Sequence, residues 1–347
     1  MAVKFTKPEI NVREKLAELD KPSGIAGEAM LRAETPQEQF NLIGAGRRNL
    51  IINGDFKVSQ RGTYTSTTTL TNTATYYLDR WKFYTFTNTS GTFQHKLDQT
   101  LPDGTVTNTH LHTSTSSDMN APLVQLVEDH KAVWGKHFTV SFWYKSNKET
   151  YYNIWNGTSQ IHFLVPNSGG TWKKWEQTYK LKENGAYFRL EFYSHTIDMT
   201  SGSYLELAQV QIELGKVATP FEHRSYGEEL ALCQRYYHTL RSGIFGVGIA
   251  VGTVHFTYSS PVTMRATPTI GFKDSNDDIR LGDMVAIGHT INTCTIGGTS
   301  YSSVESQSWS VSGTPSTPSS ASLTTYRSYL LEPQSSNHGT FTFSAEL

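Results

Sequence analysis

The sequence predicts a mostly β protein: a helical arm at the N-terminus, an antiparallel β-sandwich, a short connecting helix and a second β domain at the C-terminus. Three observations carry that expectation. Charged residues are only 18% of the 347-residue chain, below the roughly 25% of average soluble domains. Thr and Ser fill the gap, with 18 Tyr, 17 Phe and 7 Trp, and β-branched and aromatic residues broken by short polar stretches favour pleated sheet. Several runs also alternate apolar and polar residues with the period of two of a half-buried strand.

The arm comes first. Residues 9 to 21, EINVREKLAELDK, place Ile10, Val12, Leu16 and Leu19 at helix-like spacing and stop at Pro22-Ser23-Gly24. A second short helix is signalled by Thr35 as cap, Pro36 at the first helical position and Glu38 completing a capping box, with its end near Gly44. Helices this small cannot bury a core alone. Residues 1–46 therefore read either as a partly disordered leader or, the reading that the caps and apolar spacing favour, as an arm that orders against a partner.

From Asn49 the texture changes. Leu50-Ile51-Ile52 is expected as the first strand, closed by Asn53-Gly54-Asp55, and residues 63 to 75 as a Thr-rich loop. In FTVSFWYKS, Phe138, Val140, Phe142 and Tyr144 share one face and Thr139, Ser141, Trp143 and Lys145 the other; in YFRLEFY, Phe188, Leu190 and Phe192 share a face. In YLELAQVQIEL, Leu205 and Leu207 have one parity and Val210, Ile212 and Leu214 the other, which predicts a bulge near Ala208. Eight or nine strands fit between Asn49 and Leu214, the pattern of an antiparallel sandwich.

GEELALCQRYYHTL, residues 227 to 240, is the one convincing helix that follows, with Glu228 and Glu229 suiting the dipole of its first turn. Leu230, Cys233, Tyr237 and Leu240 lie on one stripe, widened by Tyr236. That stripe either plugs the end of the sandwich or meets copies of itself on a three-fold axis. After Gly243 strands resume in VHFTY and TPTIGF and run to FTFSAEL, interrupted by SSVESQSWSVSGTPSTPSSASLTT, which is expected as a long surface loop. No fixed-period repeat occurs, which argues against solenoids, propellers and a β-helix.

Composition and motifs narrow the function classes. With 30 basic and 31 acidic residues and no basic run, an electrostatic nucleic-acid footprint is missing. The start has no apolar signal region and no stretch of eighteen apolar residues occurs, so neither a secretory signal nor a membrane span is expected. Cys233 and Cys294 sit in no metal or redox spacing and read as free thiols. GxSxG, HExxH, a phosphate loop and CxxC are all absent. The densest carboxylates, Asp274, Asp277 and Asp278 in KDSNDDIR, read as a solvated turn rather than a glycosidase acid pair or a calcium loop. Asn53 and Asp55 read as an Asx turn closing the first strand. His110 and His112 in THLHT share a strand face, but two imidazoles fall short of a full coordination shell.

The aromatics are the better lead, because sugars stack their C–H faces on flat rings while polar side chains fix the hydroxyls. Trp143 lies on the polar-parity face of its strand, and Tyr151, Tyr152 and Trp155 follow in KETYYNIWNGT. These four are candidates for a platform on one sheet. The competing reading packs Trp143 under the arm or a neighbouring subunit and the tyrosines at a subunit contact. Trp309, alone in the Ser-rich loop, is expected as an exposed tip contact.

At this point the residues carry a resemblance. NLIINGDFKVSQRG resembles the opening strand of jelly-roll modules in bacteriophage tail-fibre and other virion proteins, and GKHFTVSFWYKS resembles their central strand. These modules are similar to carbohydrate-binding modules. LAQVQIELGKVATPFEHRSYGEELALCQRYY resembles their closing strand running into a short helix, and SPVTMRATPTI and FSAEL resemble the C-terminal region that follows. The likeness covers most of residues 47 to 347 and is most specific from Gln211 to Tyr237. It implies an anchoring arm over 1–46, a jelly-roll sandwich over 47–226, and a helix plus C-terminal β domain, the distal tip, over 227–347. It implies a non-enzymatic, homotrimeric virion adhesin assembled in the host cytoplasm. Such a protein mounts on phage virion or tail proteins by its N-terminus and contacts host surface glycan or another receptor. Neither nucleic acid binding nor membrane insertion is implied. No cofactor is expected except a structural calcium near the chain ends, for which Asp55 is the candidate ligand. A three-fold axis would multiply the His110 and His112 pair to six imidazoles, resembling the iron sites of some fibre tips. The alternatives are a capsid decoration or tail adaptor without receptor binding, and a glycan depolymerase, which needs paired acids.

Overall fold

A computed structural model describes residues 48–70, 74–84, 91–116, 121–128, 130–180, 185–192, 200–241, 243–273, 279–283, 288–297, 302–317, 323–332 and 340–346. The two arm helices and the Asp274, Asp277 and Asp278 turn lie outside these residues. Among the described residues no helix is long and apolar enough to cross a membrane.

Twelve strands between Thr68 and Leu214 form two six-stranded sheets that pack as a jelly-roll sandwich. Sheet A runs in the order β1 (Thr68–Thr69), β4 (Gly91–Thr100), β5 (Val106–Ser114), β12 (Tyr204–Leu214), β7 (His137–Ser146), β10 (Lys173–Lys180). Sheet B runs β2 (Thr75–Leu78), β3 (Trp81–Phe83), β6 (Leu123–Val127), β11 (Phe188–Phe192), β8 (Thr150–Trp155), β9 (Gln160–Val165). Every pairing in them is antiparallel. The alternation read from the sequence sets the core. Phe138, Val140, Phe142 and Tyr144 of β7 meet Phe188, Leu190 and Phe192 of β11 between the sheets. In β12 the inward set changes from Leu205 and Leu207 to Val210 and Ile212. The register shift between Ala208 and Gln211 is the bulge that the parity switch requires.

After the sandwich comes α1 (Tyr226–Gln234), capped by Ser225 and Glu228 in a reciprocal capping box. A three-stranded sheet follows, β13 (Tyr237–Leu240), β21 (Phe341–Ser344), β16 (Thr269–Phe272) in that order. The remaining strands close a barrel in the order β14 (Phe245–Ala250), β15 (Thr253–Ser259), β19 (Ser306–Thr317), β18 (Gly288–Gly297), β17 (Ile279–Asp283), β20 (Ser328–Leu331). Barrel and small sheet share a second core built on Phe256, Trp309, Phe341 and Phe343. At the joint between the cores, Glu346 receives Arg61 at 2.7 Å and Arg80 at 2.6 Å. The Arg61 guanidinium lies 3.7 Å from the Tyr237 ring centre, and that of Arg80 3.5 Å from Tyr236.

Three local expectations are corrected. Leu50-Ile51-Ile52 is a bent segment rather than a strand. Asn53 and Phe56 have φ of 59° and 54°, which breaks a ladder, and the segment is tied to β12 by Leu50 N donating to Ile212 O at 2.8 Å. The helix ends at Gln234, and YHTL pairs with β21 as strand β13, because aromatic and β-branched residues suit a sheet. The Ser-rich stretch is largely strand: Gln307, Trp309 and Val311 are buried within the barrel while the serines between them take the other parity.

Candidate functional site

The sheet-A outer face holds the candidate site. Trp143 projects from β7 away from the core and is half-buried. Its register partners are Lys174 on β10 and Ala208 on β12, so the ring has a small side chain on one flank. Beyond Ala208 comes the bulge. Gln209 sits there at φ 50°, in the left-handed region that costs a non-glycine residue about 1–3 kcal/mol and that clusters at functional sites. The bulge turns the Gln209 amide toward the outer face, where it is 5% exposed and its Nε2 has no hydrogen-bond partner among the described residues. A buried donor left unmade costs about 1–3 kcal/mol.

The chain beyond β12 folds back to wall the site. Glu213, on the outer face after the parity switch, accepts from Thr219 N at 2.8 Å and from Thr219 Oγ1 at 2.6 Å. Burial pushes the Glu213 carboxyl up, and the Thr219 and Gln211 hydrogen bonds oppose that shift. Gln211 Oε1 accepts from Glu222 N at 2.9 Å. These clamps hold Phe221 and His223 over the sheet, their rings 5.1 Å apart in an edge contact. Asp103 and Thr105, from the turn joining β4 to β5, complete the lining of a groove of about 270 Å³ with Ser141, Trp143, Lys174 and Gln209. Beside it Glu206, 1% exposed, is neutralised by Lys96 and Lys145, each at 3.1 Å, and accepts from Thr109 Oγ1 at 2.7 Å. The groove thus offers ring faces and the Gln209 amide, with the charged Asp103 and Lys174 at its lining, in a volume just under the usual range of small-molecule sites.

A larger cavity of about 500 Å³ lies among Asn49, Ile52, Glu128, Arg224, Leu232 and Arg235. Its charged groups are engaged with one another: Arg235 holds Glu128 through two bonds of 2.9 Å, and Arg224 contacts Glu229 at 3.3 Å.

The other residues picked out from the sequence scatter. β7 and β8 belong to different sheets, so the four-aromatic platform does not exist. Tyr151 and Trp155 lie half-buried on the outer face of sheet B, where Trp155 Nε1 donates to the Tyr187 hydroxyl and Tyr151 meets the His162 ring edge-on at 6.2 Å. Tyr152 points into the core, stacked on Phe163 at 4.7 Å, and burial pushes its phenol pKa up. Trp309 is no tip contact: it is fully buried, 5.6 Å from Phe256 and 5.1 Å from Phe341. On α1 the buried face is Glu229, Leu232 and Cys233, not the stripe of Leu230, Cys233 and Tyr237. Leu230 is half-buried, Cys233 is wholly enclosed within the chain, and Tyr237 lies in β13 under Arg61. The face turns because Glu229 accepts from Asn53 N at 2.5 Å. Burial holds the Cys233 thiol well above its usual range, so it is protonated.

The metal candidates are placed likewise. His110 and His112 face the sandwich core among Phe56, Phe83 and Phe93. Burial pulls the His110 pKa down to about 3 and that of His112 well below its usual value. Asp55 pairs with Lys57 at 2.8 Å. Among the described residues no group of three or more His, Cys, Asp or Glu is placed to hold a metal ion.

Sequence reasoning missed Gln209, Phe221 and His223. The available signal for Gln209 was the parity switch itself, since a bulge re-aims the side chain it carries. No protein-family model matches the chain, and no curated protein matches it. Three solved structures to which it is similar are the tailspike protein 4 enzymatically active domain of bacteriophage CBA120 (14% identity, TM-score 0.34, 48% of this chain and 21% of that one), the CBM22-1 xylan-binding domain of Paenibacillus barcinonensis Xyn10C (12%, 0.30, 50% and 100%), and the family 11 carbohydrate-binding module of Clostridium thermocellum Lic26A-Cel5E (13%, 0.31, 45% and 99%). The chain spans about a fifth of the tailspike domain's length.

Proposed function

We propose that this protein is a non-enzymatic bacteriophage virion appendage protein, of the tail-fibre adhesin type, that is mounted by residues 1–46 and binds host surface glycan in the sheet-A groove. The observation that carries the glycan reading is the pairing, in one groove, of the half-buried Trp143 ring with the buried Gln209 amide, whose Nε2 has no hydrogen-bond partner among the described residues. A sugar presents C–H faces that stack on the indole, and its hydroxyl and ring oxygens accept from the amide. Phe221 and His223 supply a second apolar wall. Among the described residues that line the groove Asp103 is the one carboxylate, and glycoside hydrolysis ordinarily uses two at a fixed separation. The virion assignment is supported by the sequence segments that resemble phage appendage modules, Gln211 to Tyr237 above all. Weak binding at each site would be raised by display of several copies on one particle.

Calorimetric titration of purified host-surface polysaccharides tests the reading, with the full chain and its Gln209→Leu variant. Saturable binding by the full chain is expected, weakened roughly tenfold in the variant by loss of about one hydrogen bond. Polysaccharide length should be unchanged after prolonged incubation. Glycan that binds both proteins equally, or that emerges shortened, would contradict the proposal.

A further inference from the structure

The barrel wall inverts the usual pattern of a soluble strand. Along β14 the outward residues Phe245, Val247 and Ile249 are 62%, 47% and 53% exposed, and Val251 in the following turn is 77% exposed. The inward positions are Gly246 and Gly248. A Cβ at Gly246 would lie 2.5 Å from Val254, and one at Gly248 2.1 Å from the Thr324 carbonyl oxygen. Burial of large apolar side chains normally drives a strand's inward face. Here β14 gives the barrel two glycines and keeps its large apolar groups outside.

A second feature extends the stripe. Tyr326 is 90% exposed although its φ is 63°, a conformation unusual for an aromatic residue. Its backbone N donates to Gly248 O at 2.6 Å, which seats it alongside β14. Both edges of β14 are paired, to β15 and to β20. The stripe is therefore a face, and whatever covers it packs on side chains rather than adding a strand.

The chemistry selects the occupant. The residues opposite β14 in register are Leu330 and Ser328 on one side and His255 and Thr253 on the other; none is Asp, Glu, Lys or Arg. The charge beside the stripe, Arg327 next to Tyr326, is paired with Asp283 at 3.0 Å, so the face offers little complement to an acidic or basic partner, whereas an identical apolar face complements it. The five exposed side chains present roughly 600 Å² per copy, against about 800 Å² per partner in a standard interface. A contiguous patch of that size is at the upper limit of what monomers leave in water. We infer that the β14 stripe, Phe245, Val247, Ile249 and Val251 with Tyr326, is buried against a second copy of this chain. The inference goes beyond the glycan reading and does not depend on it.

Sedimentation velocity of the full chain across roughly 1–100 µM tests it, beside Val247→Glu, whose side chain points to solvent in the single chain. The expected result is that the wild type self-associates and that Val247→Glu weakens association by about 100-fold or more, with the same melting temperature as the wild type at dilutions where both are monomeric. A wild type that stays monomeric throughout overturns the inference, as does a variant that associates equally well. If the variant does not fold, hydrogen exchange of the wild type decides. Slower exchange of residues 245–251 at the higher concentration supports the inference; concentration-independent exchange overturns it. A monomer that instead binds phospholipid vesicles through this stripe also overturns it.

Discussion

Replacing His110 with leucine should flatten the acid limb of the stability curve. His110 is 1% exposed and packed against Phe56, Phe83 and Phe93, with ring centres 5.7, 5.5 and 6.1 Å away. Neither ring nitrogen has a hydrogen-bond partner among the described residues. Burial, and then the charge of His95, lower its pKa from 6.5 to about 3. Because the folded value lies below the unfolded one, the unfolded chain binds the extra proton. Stability is then complete above about pH 6.5 and falls as pH drops toward 3. At 1.36 kcal/mol per pH unit, His110 alone removes about 2 kcal/mol between pH 7.5 and pH 5. Leucine fills the site without a titrating group and leaves no unmade ring hydrogen bond. Urea melts of both proteins at pH 7.5 and pH 5 read the effect. The variant should be as stable as the wild type or more so at pH 7.5, and its loss on acidification smaller by about 2 kcal/mol. His95, His112 and His238 shift in the same direction, so a residual slope is expected. Equal acid losses in the two proteins would refute the burial argument.

Three further outcomes follow from the packing. Trp309→Ala should cost about 3–5 kcal/mol in a urea melt, since it empties the centre of the barrel core; an exposed loop tryptophan would cost almost nothing. Glu346→Ala leaves the Arg80 charge, 1% exposed, without its partner and should lower stability by about 3–5 kcal/mol, whereas Glu346→Asp should recover part of that loss in the same thermal scan. Asn53→Ala should destabilise by about 2–4 kcal/mol. It removes bonds of 2.9 Å to Val58 O, Asp79 O and Val58 N and places alanine at positive φ, and a guanidinium melt reads the change.

Much of the sandwich was legible because period-two alternation reports directly which side chains face a core. Phe138 to Tyr144 and Phe188 to Phe192 pointed inward as read, and the change of parity in β12 fixed the bulge to within a residue or two. Alternation says which side of a strand is dry but not which sheet the strand joins. Residues 147–149 carry the chain from sheet A to sheet B, so Trp143 and Trp155 share an outward parity yet face opposite ways. Composition misled at β19: serine and threonine suit the wet side of a strand as well as they suit a loop, and the inward triplet Gln307, Trp309, Val311 was the pattern to weigh. Helix periodicity misled at α1 because a carboxylate, Glu229, takes a buried position once Arg224 and the Asn53 amide meet it. The Phe221 and His223 wall depends on clamps that reach 6 and 11 residues back to Glu213 and Gln211, which neither the strand period nor the helix period encodes.

The most direct test of the account is to follow the tryptophan indole and glutamine side-chain amide resonances while titrating a host-surface oligosaccharide into the full chain. The account predicts saturable shifts of one indole among the seven tryptophans, that of Trp143, together with the Gln209 amide; the Trp155 and Trp309 signals should stay fixed. Saturable binding that moves Trp155 and leaves Trp143 unmoved would put the ligand on the other sheet and contradict the central claim.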